Sequence, residues 1–371
     1  MIERLELKNF SSFDSLDIGF SSKINVIIGE NGTGKTQLLK ALYFANKSLA
    51  LQSATSEEIL RLYRPLSNSL KGLVGDDGKS KAELICKMAY GQILHVSFSA
   101  NSKHLLQELI VSTPAIGFPN FIPVKEVLSL MKGILADDGS TETLQTLFDQ
   151  SYLDVAHNLA KKASIKTHEK IDQDPRFGSV YLKLIDVLGG RFQVIERSGK
   201  VSVAFQSGHY ERVKDPKSQN HDQLTFRAKR RDSADMTAEG LRKLGTLQLL
   251  IENYELDPGQ SGVMLWDEPE ANLNPKLMKL IVEVLLELAR NGQQVILATH
   301  DYVLLKWFDL LMNKGKDDHV RFHSLYRDED TQGIKVSSTD EYLDISPNPI
   351  DEAFGFLINK EIENDMGGLG K

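Results

Sequence analysis

The octet Gly29-Glu30-Asn31-Gly32-Thr33-Gly34-Lys35-Thr36 fits G-x-x-x-x-G-K-[ST]. Glycines at that spacing let backbone amides curl around a phosphate. Lys35 would reach the β- and γ-phosphates of a nucleoside triphosphate, and Thr36 would offer its hydroxyl to Mg²⁺. Chance supplies roughly 0.01 such matches in a chain of this length and composition.

Three further groups carry chemistry only in combination with that loop. The stretch Val263-Met264-Leu265-Trp266-Asp267-Glu268-Pro269 is an apolar run ending in two adjacent acids. Asp267 is expected in the Mg²⁺ shell, and Glu268, pointing to the other side, is expected to orient and deprotonate an attacking water. His300 follows the apolar run QQVILAT, at a strand end where ligands gather in open α/β sheets, and is expected to contact the γ-phosphate. The segment Thr237-Ala238-Glu239-Gly240-Leu241-Arg242-Lys243 opens a helix, with Thr237 as the expected N-cap, and a helix start binds anions.

These residues need elements to hold them. Residues 2–8 alternate as a strand, 13–20 read as a second, and Ile24 to Ile28, apolar but for Asn25, is a run of the kind buried in a central strand. Leu38, Leu39, Leu42 and Tyr43 then keep helical spacing, so strand, loop and helix follow in the order phosphate binding needs. From Leu241 onward the chain alternates helix and strand, with Asn274-Pro275 as a helix start, two strands (HVRFHSLYRD and GIKVSSTDEY) and a closing helix at DEAFGFLINKEIE. Between about 50 and 225 the pattern is mixed. It predicts strands at AELICKMAY and QILHVSFSA, helices at KEVLSLMKGIL and TLQTLFDQSYLDVAHNLAKKA, and a β pair at RFQVIERSGKVSVAFQSG, with no sustained heptads.

The 371 residues, 41% of them apolar and 26% charged, suit one large α/β domain with a sizeable insertion. A single cysteine, Cys86, leaves no internal disulfide and fits a reducing cytosol. No basic-then-apolar leader precedes the first strand and no run approaches the ~20 apolar residues of a membrane span, so a soluble, cytoplasmic protein is expected. A net charge of −7 argues against broad nucleic-acid coating. Arg227, Lys229, Arg230 and Arg231 nevertheless form a local basic strip, expected on a solvated loop.

The order of these motifs resembles that of the ABC-class ATPases of the SMC, RecF and OLD kind, including ATPase subunits of prokaryotic defence systems. The likeness rests on LKNFSSF, on GENGTGKT as Walker A, on TAEGLRK in the signature-helix position, on VMLWDEPEANLNP as Walker B with its D-loop, and on ATHD as the switch-histidine loop. It implies an ABC-type P-loop α/β fold with N-terminal antiparallel β elements, a central mostly parallel sheet flanked by helices, and an inserted α+β lobe. Residues 1–50 and 225–371 would form the ATPase core, and 51–224 the insertion, lending some strands to the core.

The resemblance also implies ATP and Mg²⁺ as ligands and a homodimer with ATP between subunits. Glu239 and Gly240 would then act on the partner's nucleotide, Thr237 would stand in for the serine of the family's LSGGQ, Asn272 and Asn274 would lie near the seam, and Asn9 would approach the nucleotide. Gly29, Asn31, Gly32, Thr33, Gly34, Lys35 and Thr36 are the implied nucleotide contacts. Lys125 and Glu126 sit in a stretch similar to the glutamine-loop region of defence-type members. Too little chain follows His300 for the Toprim nuclease of OLD proteins despite Asp328, Glu329 and Asp330, so an effector such as a nuclease or toxin would be a separate partner. Two other readings stay open: a RecF-like repair ATPase binding DNA through the basic strip, and the nucleotide-binding subunit of a transporter, against which the unusual signature and large insertion weigh.

Overall fold

The structure, a computed structural model, describes residues 1–75, 81–111, 115–136, 141–162, 166–214, 222–257 and 261–366. The chain opens with strands β1 (Ile2–Phe10), β2 (Phe13–Gly19) and β3 (Ile24–Gly29), then helices α1 (Lys35–Leu51) and α2 (Ser56–Tyr63). Strands β4 (Ala82–Met88), β5 (Ile93–Phe98), β6 (Leu106–Ile110) and β7 (Asn120–Ile122) lead to helices α3 (Met131–Ile134), α4 (Thr141–Leu147), α5 (Gln150–Ala160), α6 (Thr167–Gln173) and α7 (Pro175–Leu188). Next come β8 (Gly190–Arg197), β9 (Lys200–Lys214), β10 (Asp222–Ser233) and α8 (Glu239–Glu252). The last part runs β11 (Met264–Asp267), α9 (Met278–Arg290), β12 (Val295–Ala298), α10 (Tyr302–Leu311), β13 (Val320–Arg327), β14 (Ile334–Thr339) and α11 (Pro349–Met366).

The central sheet has the order β14-β13-β3-β12-β11-β7, parallel throughout except for β14. Its strands β3, β11 and β12 are buried residue by residue and mostly apolar, as parallel strands covered on both faces are, with Asn25 and Asp267 the polar exceptions. Alternate side chains enter two different cores. Ile24, Val26, Trp266 and Leu297 pack on the side of α5, α7, α8, α9 and α10, whereas Ile27, Leu265, Ile296 and Ala298 pack on the side of α1 and a second sheet. That second sheet is antiparallel, β2-β1-β4-β5-β6, and a third, β10-β9-β8, lies against the α8 side.

Register aligns Asp267, Ala298, Ile27 and His323 across the carboxyl end of the central sheet, with Gly29 and Leu325 paired two residues further along. The loops that follow β3, β11, β12 and β13 therefore open on the same edge, the place where open α/β sheets hold ligands.

Local readings inside the insertion change in the structure. The run KEVLSLMKGIL is helical only over α3, with Leu130 and Met131 both donating to the Val127 carbonyl in a turn before it. The long helix expected from Thr143 to Ala163 breaks between α4 and α5, where Asp149 accepts from Ser151 N–H and caps the second piece. The β pair gains a third strand, β10, so Arg227 to Arg231 lie in a strand rather than a loop, where their backbone pairs with His209 to Gln206 across a bulge. No described helix is long and apolar enough to cross a membrane.

Candidate nucleotide site

The loop from Gly29 to Thr36 joins β3 to α1, and its shape depends on glycine. Gly29 has φ +148°, and a Cβ there would stand 2.3 Å from the Leu325 carbonyl of neighbouring β13. Gly34, at φ +85°, is the left-handed N-cap residue of α1 and supplies no side-chain bond, so the free amides of the first turn stay available to an anion. The buried Lys35 ammonium donates to the Gly29 carbonyl at 2.7 Å and the Glu30 carbonyl at 3.0 Å. Burial holds its pKa below the ordinary lysine value, against the pull of Glu268, Asp267 and Glu270. Thr33 closes the loop by donating from Oγ1 to the Glu30 carbonyl at 2.8 Å, while Asn31 is exposed. Arg327, which sequence reasoning passed over, donates from the end of β13 to the Gly32 carbonyl at 3.3 Å.

Thr36 reaches across the sheet edge, its hydroxyl donating to Asp267 Oδ2 at 2.7 Å. Asp267 is almost fully buried, and burial raises its pKa while the Thr36 bond works in the opposite direction. Glu268 sits at φ +47°, rare for a side chain of its kind, and its N–H donates to the Ala298 carbonyl at 2.9 Å. His300 Nδ1 lies 3.5 Å from Glu268 Oε1 and 3.9 Å from Glu270 Oε1. Glu270 is a second residue that the motif reading missed. Buried, it accepts from Thr299 Oγ1 at 2.8 Å and His300 N–H at 3.1 Å, and so fixes the histidine loop. The residues expected from sequence to meet phosphate, metal and proton thus converge from β3, α1, β11 and β12.

The start of α8 is anchored elsewhere. Its N-cap is Ala238 with no side-chain bond, not Thr237, whose hydroxyl donates instead to the Ala234 carbonyl at 2.6 Å. Glu239 accepts from Asn272 Nδ2 at 2.8 Å, and a Cβ on Gly240 would come within 2.7 Å of the Asn272 carbonyl. Among the described residues no hydrogen bond joins Thr237, Glu239 or Gly240 to the phosphate loop of the same chain. Arg242 forms a buried ion pair with Glu126 at 3.0 Å, fastening the stretch around Lys125 to α8. Asn274 caps the turn before α9 by accepting from Lys276 N–H at 3.0 Å. Asn9, at φ +48°, accepts on its carbonyl from Gly75 N–H at 3.0 Å, and its side chain lies against Gly75. Ser12 and Phe13 lie against Gly34.

Lys243 was not singled out by sequence as a functional residue. Its ammonium is buried, donates to the Glu268 carbonyl and lies 3.5 Å from the Ala271 carbonyl, fastening α8 to the loop after β11 and holding the unusual Glu268 backbone. Burial lowers its pKa to about 8, even though Glu270, Glu268, Asp267 and Glu239 all favour the charged form. The folded protein sheds this proton near pH 8 and the unfolded chain near 10.5, so between those values the unfolded state holds more protons and stability rises with pH. In nucleotide-free protein with chelator, the unfolding free energy of wild type relative to Lys243→Met should rise by about 2 kcal/mol from pH 7 to 9.5. Urea titrations at the two pH values check this, and an unchanged difference would contradict the shift.

The basic strip is partly neutralised. Arg227 pairs with Glu211 and Arg230 with Asp232, while Arg231 bonds to Gln206 and Gln193. Asp328 folds into a turn by accepting from Thr331 N–H at 2.8 Å, and no cluster among the described residues has three metal-ligating side chains.

A family model described as "AAA ATPase domain" matches residues 1–113, and one described as "AAA domain, putative AbiEii toxin, Type IV TA system" matches residues 138–306. Among curated proteins, the DNA replication and repair protein RecF of Halalkalibacterium halodurans is 41% identical over 66 residues, 18% of either chain. RecF of Bacillus subtilis is 28% identical over 134 residues, 36% of this chain and 34% of that protein. The matches thus span about a third or less of these relatives' length. A crystal structure of an Smc head bound to the C-winged helix domain of ScpA superposes with a TM-score of 0.52 at 16% identity, covering 91% of this chain and 97% of that one, which shows a shared fold. By its motifs, its family-model matches and its fold, the chain is similar to the SMC/RecF-like group of ABC-class ATPases.

Proposed function

We propose that this chain binds ATP with Mg²⁺ at Gly29 to Thr36, hydrolyses it, and uses the nucleotide to close two copies of itself, thereby controlling a separate effector protein. The observation that carries the reading is the Thr36–Asp267 hydrogen bond, which brings a hydroxyl and a carboxylate to one point beside Lys35 and Glu268. Such a pair of oxygens suits an octahedral magnesium, which would polarise the β- and γ-phosphates. Lys35 would exchange its bonds to the Gly29 and Glu30 carbonyls for phosphate oxygens. Glu268 would accept the proton of the attacking water, with His300 beside it toward the γ-phosphate.

The packing of Glu239 and Gly240 against Asn272, apart from their own phosphate loop among the described residues, agrees with action on a partner's nucleotide, with Thr237, Asn272 and Asn274 near the seam. The division into a core of 1–50 and 225–371 with 51–224 inserted belongs to this reading, although β4 to β7, from within the insertion, extend two of the sheets. A defence setting agrees with the description of the second family model. Light scattering is the test: Glu268→Gln with Mg-ATP should double in mass relative to nucleotide-free protein, and an unchanged mass would refute nucleotide-coupled pairing.

The likeness to RecF favours a second reading, direct DNA binding through the strip on β10. With Arg227 and Arg230 already paired to acids, neutralising all four basic residues should lower the salt slope of DNA binding by about 2 rather than 4. Fluorescence anisotropy at several salt concentrations would show it, and an unchanged slope would remove the strip from the interface.

A further inference from the structure

β8 is the outer strand of the order β10-β9-β8 and pairs only with β9. Phe192 marks which way its free edge faces. The Phe192 N–H donates to Gln248 Oε1 at 2.7 Å, and its carbonyl accepts from Gln248 Nε2 at 3.2 Å, so this residue points its backbone groups away from β9. Those groups alternate in direction along a strand, so Val194 and Glu196 present theirs to the same side as Phe192. No described residue takes them.

That edge borders an open cavity of about 670 Å³, lined also by residues at the ends of α5, α6 and α8. Lys161, Lys162, Lys166, Arg191 and Arg231 line it, against the carboxylates of Glu196 and Glu252. Glu252 already accepts from Thr167, Tyr181 and Gln248, and Glu196 lies 3.2 Å from Lys162. Lys166 and Arg231 pair with no carboxylate among the described residues, and the buried Arg191 Nε has no hydrogen-bond partner. The site is therefore cationic around a row of unpaired strand amides and carbonyls.

We propose that this edge takes an extended acidic segment of a partner protein as a fourth strand. Main-chain bonds at Val194 and Glu196 set its register, and the surrounding lysines and arginines select aspartate and glutamate side chains. A small anion or a nucleic-acid phosphate satisfies the cations but gives the outward carbonyls no donor, whereas a peptide strand supplies N–H and C=O together. Such a segment would sit at the far end of α8 from Gly240, roughly 20 Å along one rigid helix. The inference names the partner chemistry that the proposed function leaves open, and the binding itself needs no nucleotide.

The test uses the full chain without nucleotide and a fluorescein-labelled decapeptide alternating glutamate and valine. Saturable binding with a Kd on the order of 10 µM at low salt is expected. N-methylation of alternate peptide amides, which spares charge but blocks strand pairing, should weaken it at least tenfold. Lys166→Glu with Arg231→Glu should do the same while circular dichroism and Mg-ATP affinity stay at wild-type values. Val194→Pro, which removes an outward N–H at an open edge, is the backbone counterpart. Lack of saturation at 1 mM peptide, equal affinity of the N-methylated peptide, or equal displacement by inorganic triphosphate would each overturn the proposal. Because no nucleotide enters the binding measurement, failure of the ATPase reading would leave this result untouched.

Discussion

Lys35→Ala is expected to lower Mg-ATP affinity at least 100-fold, about 3 kcal/mol, and to abolish measurable turnover, with a cooperative unfolding transition retained. The ammonium is buried among three carboxylates and bonded to two loop carbonyls, so it is held where phosphate oxygens would arrive. Its charge is already desolvated, so little of the contact with phosphate is lost to stripping water from the lysine. The folded state loses two hydrogen bonds to loop carbonyls at a part-open site, worth about 1 kcal/mol each, which is small beside the binding effect. Calorimetric titration with Mg-ATP, paired with thermal melting, separates the two quantities. Wild-type affinity in the variant would remove Lys35 from the nucleotide site.

The second large effect is expected from Glu268→Gln, which should reduce kcat roughly 10²- to 10³-fold while ATP affinity changes less than about threefold. Glutamine keeps the volume and a carbonyl acceptor but cannot take up a proton. The backbone at Glu268 is pinned from two sides, by its own N–H on the Ala298 carbonyl and by Lys243 on its carbonyl, so the substitution should leave the strand end in place. A loss confined to kcat identifies proton transfer or water positioning, whereas a parallel loss of affinity would make Glu268 a ligand-binding group instead. Single-turnover hydrolysis alongside equilibrium binding distinguishes them. Lys243→Met gives an internal comparison: it keeps the carboxylate but frees its backbone, so a drop in kcat with unchanged affinity would mark Lys243 as a positioning residue.

Much of the fold was legible because its signals are local. The short, mostly apolar runs of β3, β11 and β12 read as buried central strands, and alternation along β1 reports one buried face. The insertion was harder to read. Its helix at KEVLSLMKGIL shrank to α3, and the long helix after it was cut by the cap at Asp149, because short amphipathic segments take their length from what they pack against.

The sequence by itself determined the phosphate loop and the acid-and-histidine strand ends, since glycine spacing, a lysine and a following helix act over eight neighbouring residues. Only the tertiary structure decided how distant residues complete the site. Arg327 meets Gly32 because β13 lies beside β3, Glu270 ties down His300 across the β11–β12 pair, and Lys243 reaches the Glu268 carbonyl from a helix that belongs to another layer. Thr237 lost its expected capping role for the same reason, its hydroxyl being taken by the turn that precedes α8. Hydrogen bonds and burial depend on where folded elements meet, and no spacing along the chain encodes that meeting.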